Sequence, residues 1–249
     1  DRSVSRGLGD VYKRQVLKAM FEAIYGQSPY KSPTDMGVNM AGYAICDEEV
    51  AHQASKDEII RRYLNSLVDL RNGKITQDAV DKIAFLMRQL NISIEDRKCV
   101  KAALAKRDKT NTVSMALELG DGYIVDAKTS ALLTSSAALI LNALKHLAGI
   151  QDEMLLISRS IIEPIAKMKI HDLGNHNPRL HIDEVLIALA ISAQTNPLAE
   201  MAMAKLGELA YCQAHSTVIL PQVDAQVFKK LKIEVTTEAE FYAHKLYVK

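Results

Sequence analysis

The sequence predicts an α/β protein, a helical subdomain followed by a layered α/β domain with a mixed sheet. Three observations carry that reading. Apolar residues recur at helical spacing from Val16 to about Lys109. They alternate around a Gly-Asp-Gly turn from Val113 to Ala127, and two later segments are apolar on nearly every side. A change from helical to strand period, followed by buried helices, is the pattern of helices layered on a sheet.

Residues 1–15, DRSVSRGLGDVYKRQ, start without Met, carry four basic side chains and show no period. They read as translated adapter sequence and are set aside as a non-native segment. The helical subdomain is expected over residues 16–110 and the α/β domain over 111–249. The stretch from Val16 to Tyr30 is expected to expose an apolar docking surface.

Within the helical part, Ile59, Ile60, Tyr63, Leu64, Leu67 and Val68 form one helix stripe that stops at Asn72-Gly73, a left-handed terminator. Thr76 is placed to cap the next helix, whose face is Val80, Ile83, Met87 and Leu90. Ser93 to Asp96 has the form of a capping box opening a third, shorter helix. Val113, Met115, Leu117 and Leu119 then alternate, Gly120-Asp121-Gly122 turns the chain, and Tyr123, Val125 and Ala127 return as a hairpin.

Ser135 or Ser136 is expected to cap a buried helix closed by Gly149. Met154 to Ile157 reads as a short strand, and Ser160 with Glu163 as a capping box that tolerates Pro164 in a first turn. Val185 to Ile191 is a second buried helix, broken at Asn196-Pro197 and resumed through Leu206. Thr217–Leu220 and Ile233–Thr236 are expected as strands around a helix from Val223 to Leu231.

Composition narrows the function. Lys and Arg number 31 against 30 Asp and Glu, so no bulk field draws in nucleic acid or an anionic membrane. Three scattered cysteines without CxxC spacing point to a reducing, cytoplasmic compartment. No apolar run approaches the ~18 residues of a spanning helix.

The loop Ser28 to Gly42, SPYKSPTDMGVNMAG, concentrates prolines and glycines with Lys31, Thr34, Asp35 and Asn39. With YGQSPYKSPTDMGVNMAG, DAKTSALLTSSAALILNALKHLAGI, NPRLHIDEVLIALAISAQTNP and AHSTVIL in this order, the chain resembles the C-terminal half of the bacterial family called domain of unknown function 1846. The resemblance runs from Val16 to about Thr237. It implies an α/β domain similar in layering to cytidine-deaminase-like folds, and a missing N-terminal half with a Gly-rich, P-loop-like segment. It also implies that a nucleotide, if one is used, enters through that half. Some members carry the label of ATP-dependent zinc protease. No histidine here stands in HExxH, and no GxxxxGK[ST] run is present, so this chain's residues lend that label nothing.

Four constellations could carry chemistry. In the first, the glycines of the 28–42 loop would bring backbone N–H groups to a phosphate while Lys31, Asp35 and Asn39 contact the ligand; the structural alternative is a connection whose prolines and glycines only set turns. In the second, Lys128-Thr129-Ser130 and Thr134-Ser135-Ser136 offer hydroxyls at a helix start, an anion site if more than capping, with Thr129 and Ser135 as the contacts. In the third, Asn175 to Glu184 crowds Asn177, Arg179, His181, Asp183 and Glu184 at another helix start. There Arg179 suits an anion, His181 or Glu184 a proton transfer, and Asp183 and Glu184 would equally serve as caps. The fourth is Cys212 to Ser216, where His215 is an acid–base candidate and Cys212 with His215 makes only a weak metal pair.

Catalytic candidates are therefore His181, Glu184 and His215, with no metal site assigned. The residues are expected to share one cavity holding a small anionic ligand. The chain would then be the C-terminal part of a small-molecule-binding, nucleotide-dependent enzyme, partnered by its missing N-terminal half and open to forming a homo-oligomer. The competing class is a non-catalytic assembly module whose polar loops only dock.

Overall fold

The structure is a computed structural model that describes residue 20, residues 22–26 and residues 48–242. The chain forms two compact units, residues 1–59 and 60–249. In the first, Met20, Ile24 and Tyr25 are exposed. Residues 1–15 and the 28–42 loop, with Lys31, Asp35 and Asn39, lie outside the described residues.

Helix α1 spans Glu48–Arg71 and ends at Gly73, whose φ of 71° suits a residue without Cβ. Helix α2, Gln77–Gln89, buries Val80 and Met87. Thr76 holds its N-cap position with no side-chain hydrogen bond. The Ser93 box is present: Ser93 N–H donates to Asp96 Oδ2 at 2.8 Å, and Ser93 Oγ accepts from Glu95 N–H at 3.3 Å. It opens a single 3₁₀ turn, Ile94–Asp96, and helix α3, Lys98–Thr110, follows.

The sheet is mixed. Strands β1 (Ser114–Glu118) and β2 (Ile124–Lys128) form the expected antiparallel hairpin, with Gly122 at a φ of 82° in the turn. Strand β3 (Gln213–Ser216) lies antiparallel on the other side of β1, and β4 (Glu234–Thr237) lies parallel to β3 at the edge. Alternation sorts the strand residues between two faces. Met115, Leu117, Val125, Ala127 and Ala214 join the main core, whereas Ala116 packs with Cys99 and Ala103 of α3.

Helix α4, Ser135–Leu147, fills the main-core face, with Leu139, Ile140 and Leu144 fully buried. Each such side chain contributes about 1.5–3 kcal/mol relative to its exposed state. The remaining helices are α5 (Arg159–His171), α6 (Ile182–Ser192), α7 (Pro197–Ala204) and α8 (Gln222–Lys230).

Four sequence expectations need correction. Met154–Ile157 is bent, irregular backbone rather than a strand: Asn196 Nδ2 donates to the Leu155 and Leu156 carbonyls at 3.2 Å each, so side-chain rather than ladder bonds hold this backbone. Helix α5 begins at Arg159 with Ser158 at its cap, so Pro164 lies inside the helix and not in its first turn. Thr134, not Ser135 or Ser136, caps α4, its Oγ1 accepting from Ala137 N–H at 3.2 Å. Strand β3 precedes Thr217–Leu220 because Ser216 turns on itself, its Oγ donating to the Val218 carbonyl at 2.8 Å.

Candidate functional site

Two loops that enter buried helices are tied together by backbone. Leu133 and Leu180 form a parallel bridge, in which Thr134 N–H donates to the Leu180 carbonyl at 3.1 Å and Leu180 N–H to the Leu132 carbonyl at 2.9 Å. The bridge sets the N-termini of α4 and α6 side by side. A third helix joins them, because Asp224 in the first turn of α8 accepts from Ile182 N–H at 3.1 Å. Three helix N-termini meeting in one place gather partial positive charge and free N–H groups.

Between them lies a cavity of about 30 Å³ lined by Thr129, Ser135, Asn177, Arg179, His181 and Asp224, among others. That volume admits one small polar group and not a whole cofactor. Five of the residues singled out in the sequence, Thr129, Ser135, Asn177, Arg179 and His181, are therefore brought together. Asn177 Oδ1 accepts from Arg179 N–H at 3.1 Å, and Arg179 Nε donates to the Ser130 carbonyl at 2.6 Å, which pins the arginine loop to the loop before α4.

The chemistry centres on His181 and Asp224. His181 Nδ1 lies 3.2 Å from Asp224 Oδ1, with side-chain exposures of 20% and 1%. The hydrogen bond to Asp224 pushes the His181 imidazole above its usual range, against the opposing effect of burial. Asp224 Oδ2 and Thr129 Oγ1 are both buried and lack a hydrogen-bond partner. Both residues line the cavity, and the carboxylate oxygen in particular still calls for a donor.

The rest of the expected constellation is elsewhere. Glu184 turns to structure: its Oε2 accepts from His181 N–H at 2.8 Å and from the buried Lys169 Nζ at 2.7 Å. Asp183 is exposed and accepts from Glu184 N–H at 2.9 Å. Neither lines the cavity.

The expectation that His215 shares the cavity is also corrected. In the sheet register His215 pairs with Ala116, and cross-strand partners share a face, so it points to α3 and away from α4 and α6. There its Nδ1 meets Thr236 Oγ1 at 2.9 Å and its Nε2 meets Glu238 Oε1 at 3.2 Å. Burial holds His215 below the usual imidazole range, and the bond to His215 holds Glu238 below the usual carboxylate range. Arg97, 1% exposed, closes this face, donating from Nη2 to the Glu234 carbonyl at 2.8 Å.

Sequence reading missed Asp224 and Lys169. Asp224 looks like an ordinary acidic residue in a first helical turn, and only the tertiary fold brings it to His181. Lys169 had a usable signal, since it continues the buried stripe of Ile162 and Ala166 on α5. A lysine in that phase must end on a partner, here the Arg179 carbonyl at 2.7 Å and Glu184. Among the described residues no group of three His, Cys, Asp or Glu could hold a metal ion, and no helix is long and apolar enough to cross a membrane.

Comparison with known proteins places this chain in a family. The chain is 46% identical over 240 residues to the UPF0371 protein cu0538 of Corynebacterium urealyticum, which covers 96% of this chain and 48% of that protein. It is 49% identical over 234 residues to the UPF0371 protein str1377 of Streptococcus thermophilus, covering 94% and 47%. The UPF0371 protein SpyM3_1021 of Streptococcus pyogenes is 47% identical over 240 residues, covering 96% and 49%. The chain thus spans about half the length of the curated relatives it matches.

The profile for the C-terminal domain of unknown function DUF1846 matches residues 95–247, and the profile for the N-terminal one matches residues 5–91. The second match corrects the expectation of a C-terminal half alone, because sequence of both family domains is present. It begins inside the segment that reads as adapter. With both profiles matched in order and relatives 46–49% identical over nearly all of it, the chain belongs to the DUF1846 family.

Proposed function

We propose that the cavity where α4, α6 and α8 meet binds the polar end of a small anionic ligand and that His181, oriented by Asp224, moves a proton on it. The observation that carries this reading is the pair of partnerless buried oxygens, Asp224 Oδ2 and Thr129 Oγ1, on residues that line one cavity with His181. A ligand hydroxyl or amine enters the cavity toward Asp224, while its carboxylate or phosphate stays outside it beside Arg179. A carboxylate on one imidazole nitrogen fixes the tautomer and favours the protonated ring, which leaves the other nitrogen for acid–base work.

In this reading the enzyme is cytoplasmic, and the further length seen in its relatives closes the cavity and supplies any nucleotide dependence. Layering similar to cytidine-deaminase-like folds is part of the same proposal, supported by a hairpin on one side of the sheet and a parallel pair on the other. The competing reading, a non-catalytic docking module, is favoured by the internal bonds of Glu184, Lys169 and Asn177, which keep those side chains from a ligand.

Thermal shift with glycerate, lactate, glycerol phosphate and inorganic phosphate tests the proposal. At least one of these anions should raise the midpoint of the wild-type chain, and Asp224→Asn or Arg179→Ala should abolish the rise while His215→Gln keeps it. Equal shifts in all four proteins, or none in the wild type, would favour the docking module.

A further inference from the structure

A second, larger hollow lies on the other side of α8, between that helix, the edge strand β4 and Arg61 of α1. Its volume is about 570 Å³, within the range of small-molecule sites, about 300–1,000 Å³. Ile219, Leu220 and Val235 contribute apolar surface above the buried Phe228 and Ile233, and two exposed lysines, Lys229 and Lys232, stand against one carboxylate, Glu234. Leu220 lines this hollow and the His181 cavity alike, but Asp224 faces only the smaller one.

Two residues of the lining hold left-handed backbone without being glycine, Tyr211 at a φ of 66° and Lys232 at 57°. They are joined by a hydrogen bond from Tyr211 N–H to the Lys232 carbonyl at 2.8 Å. The Lys232 ammonium lies 5.7 Å from the centre of the Tyr211 ring, and Tyr211 is 76% exposed. An apolar floor and a cationic rim select an apolar body carrying a negative group.

The geometry points to a second ligand site here, for an organic anion whose apolar body lies on Ile219, Leu220 and Val235 and whose carboxylate, sulfonate or phosphate meets Lys229 and Lys232. Fluorescence titration of the full chain with anilinonaphthalene sulfonate, beside its uncharged parent phenylnaphthylamine, tests it. The anion should bind at least about tenfold more tightly than the neutral dye, since only the anion gains from the lysines. The double variant Lys229→Glu, Lys232→Gly should weaken the anion about tenfold and leave the neutral dye within about twofold. Glycine is at ease at the left-handed position 232, so the thermal midpoint should hold and loss of binding cannot be ascribed to unfolding. Ala225→Trp, an exposed position on the wall of the hollow, should block both dyes. Equal affinity for the two dyes, an unaffected double variant, or dye binding unchanged in Ala225→Trp would each overturn the proposal.

Discussion

Two histidine–carboxylate pairs sit on opposite faces of one sheet with the same separation, 3.2 Å in each, and their surroundings push the two imidazoles in opposite directions. His181 faces the cavity, keeps 20% of its side chain exposed and is pushed up by Asp224. His215 is fully buried between the sheet and α3, and burial outweighs Glu238 to push it down. The distance therefore says little about the role. What differs is access: a partly solvated ring can take up a proton and pass it on, whereas a buried ring is held neutral and serves packing. The same contrast separates the carboxylates, because Asp224 keeps one oxygen without a partner in a cavity and Glu238 spends its contact on His215.

The largest expected effect lies on the buried face. Arg97→Ala leaves the Glu234 carbonyl without its donor and a hole beneath β3 and β4, and should cost about 3 kcal/mol in urea unfolding at neutral pH. If the loss is under ~1 kcal/mol, the buried face is not the structural one. His215→Gln should cost about 2 kcal/mol at neutral pH through lost packing and the bonds to Thr236 and Glu238.

That second loss should shrink in acid. A histidine held low in the folded state contributes stability above its ordinary pKa, and the contribution disappears as pH falls through the lowered folded value. Glu238, also held low, keeps its own contribution until the pH falls below the ordinary carboxylate range and through its folded value. Between the two windows the cost of His215→Gln should fall while Glu238 remains ionised, and a cost independent of pH would remove the buried-neutral assignment.

On the cavity face, Asp224→Asn retains an acceptor for Ile182 N–H and loses only the charge. It should cost about 1–2 kcal/mol. It should also return the His181 titration, read by NMR, toward the ordinary imidazole range. An unchanged His181 titration would mean that Asp224 does not orient the ring.

The sequence made half of this contrast legible. The hairpin was visible because Val113 to Ala127 alternates about a Gly-Asp-Gly turn, and α4 and α6 because apolar runs follow polar starts. Those starts also pointed to Thr129, Ser135, Asn177, Arg179 and His181 as neighbours, since side chains at helix entries share a small set of N–H groups. Placing His215 with them failed because strand register decides which face a side chain takes, and a one-residue shift reverses it. Asp224 was hidden for a related reason, as it comes from a helix 43 positions away from His181, joined to it only by the tertiary fold.

The smallest effect is the sharpest test of the comparison. His181→Gln replaces the ring by an amide that can still donate to Asp224, so the loss should be about 1 kcal/mol. Because the folded pKa of His181 is raised, its contribution is complete below the ordinary imidazole pKa and lost as pH rises through the raised folded value. The cost of His181→Gln should thus be greatest in mild acid and vanish in mild base, the reverse of His215→Gln. Urea midpoints for both variants across that window should give two curves of opposite slope. Asp224 and Glu184 are the carboxylates that interact with His181, and Lys169 is the opposing cation. Lys169→Met should steepen the His181 curve and leave that of His215 unmoved. Parallel curves for the two histidines would mean that access to the cavity does not distinguish them, and the proton-transfer role of His181 would lose its basis.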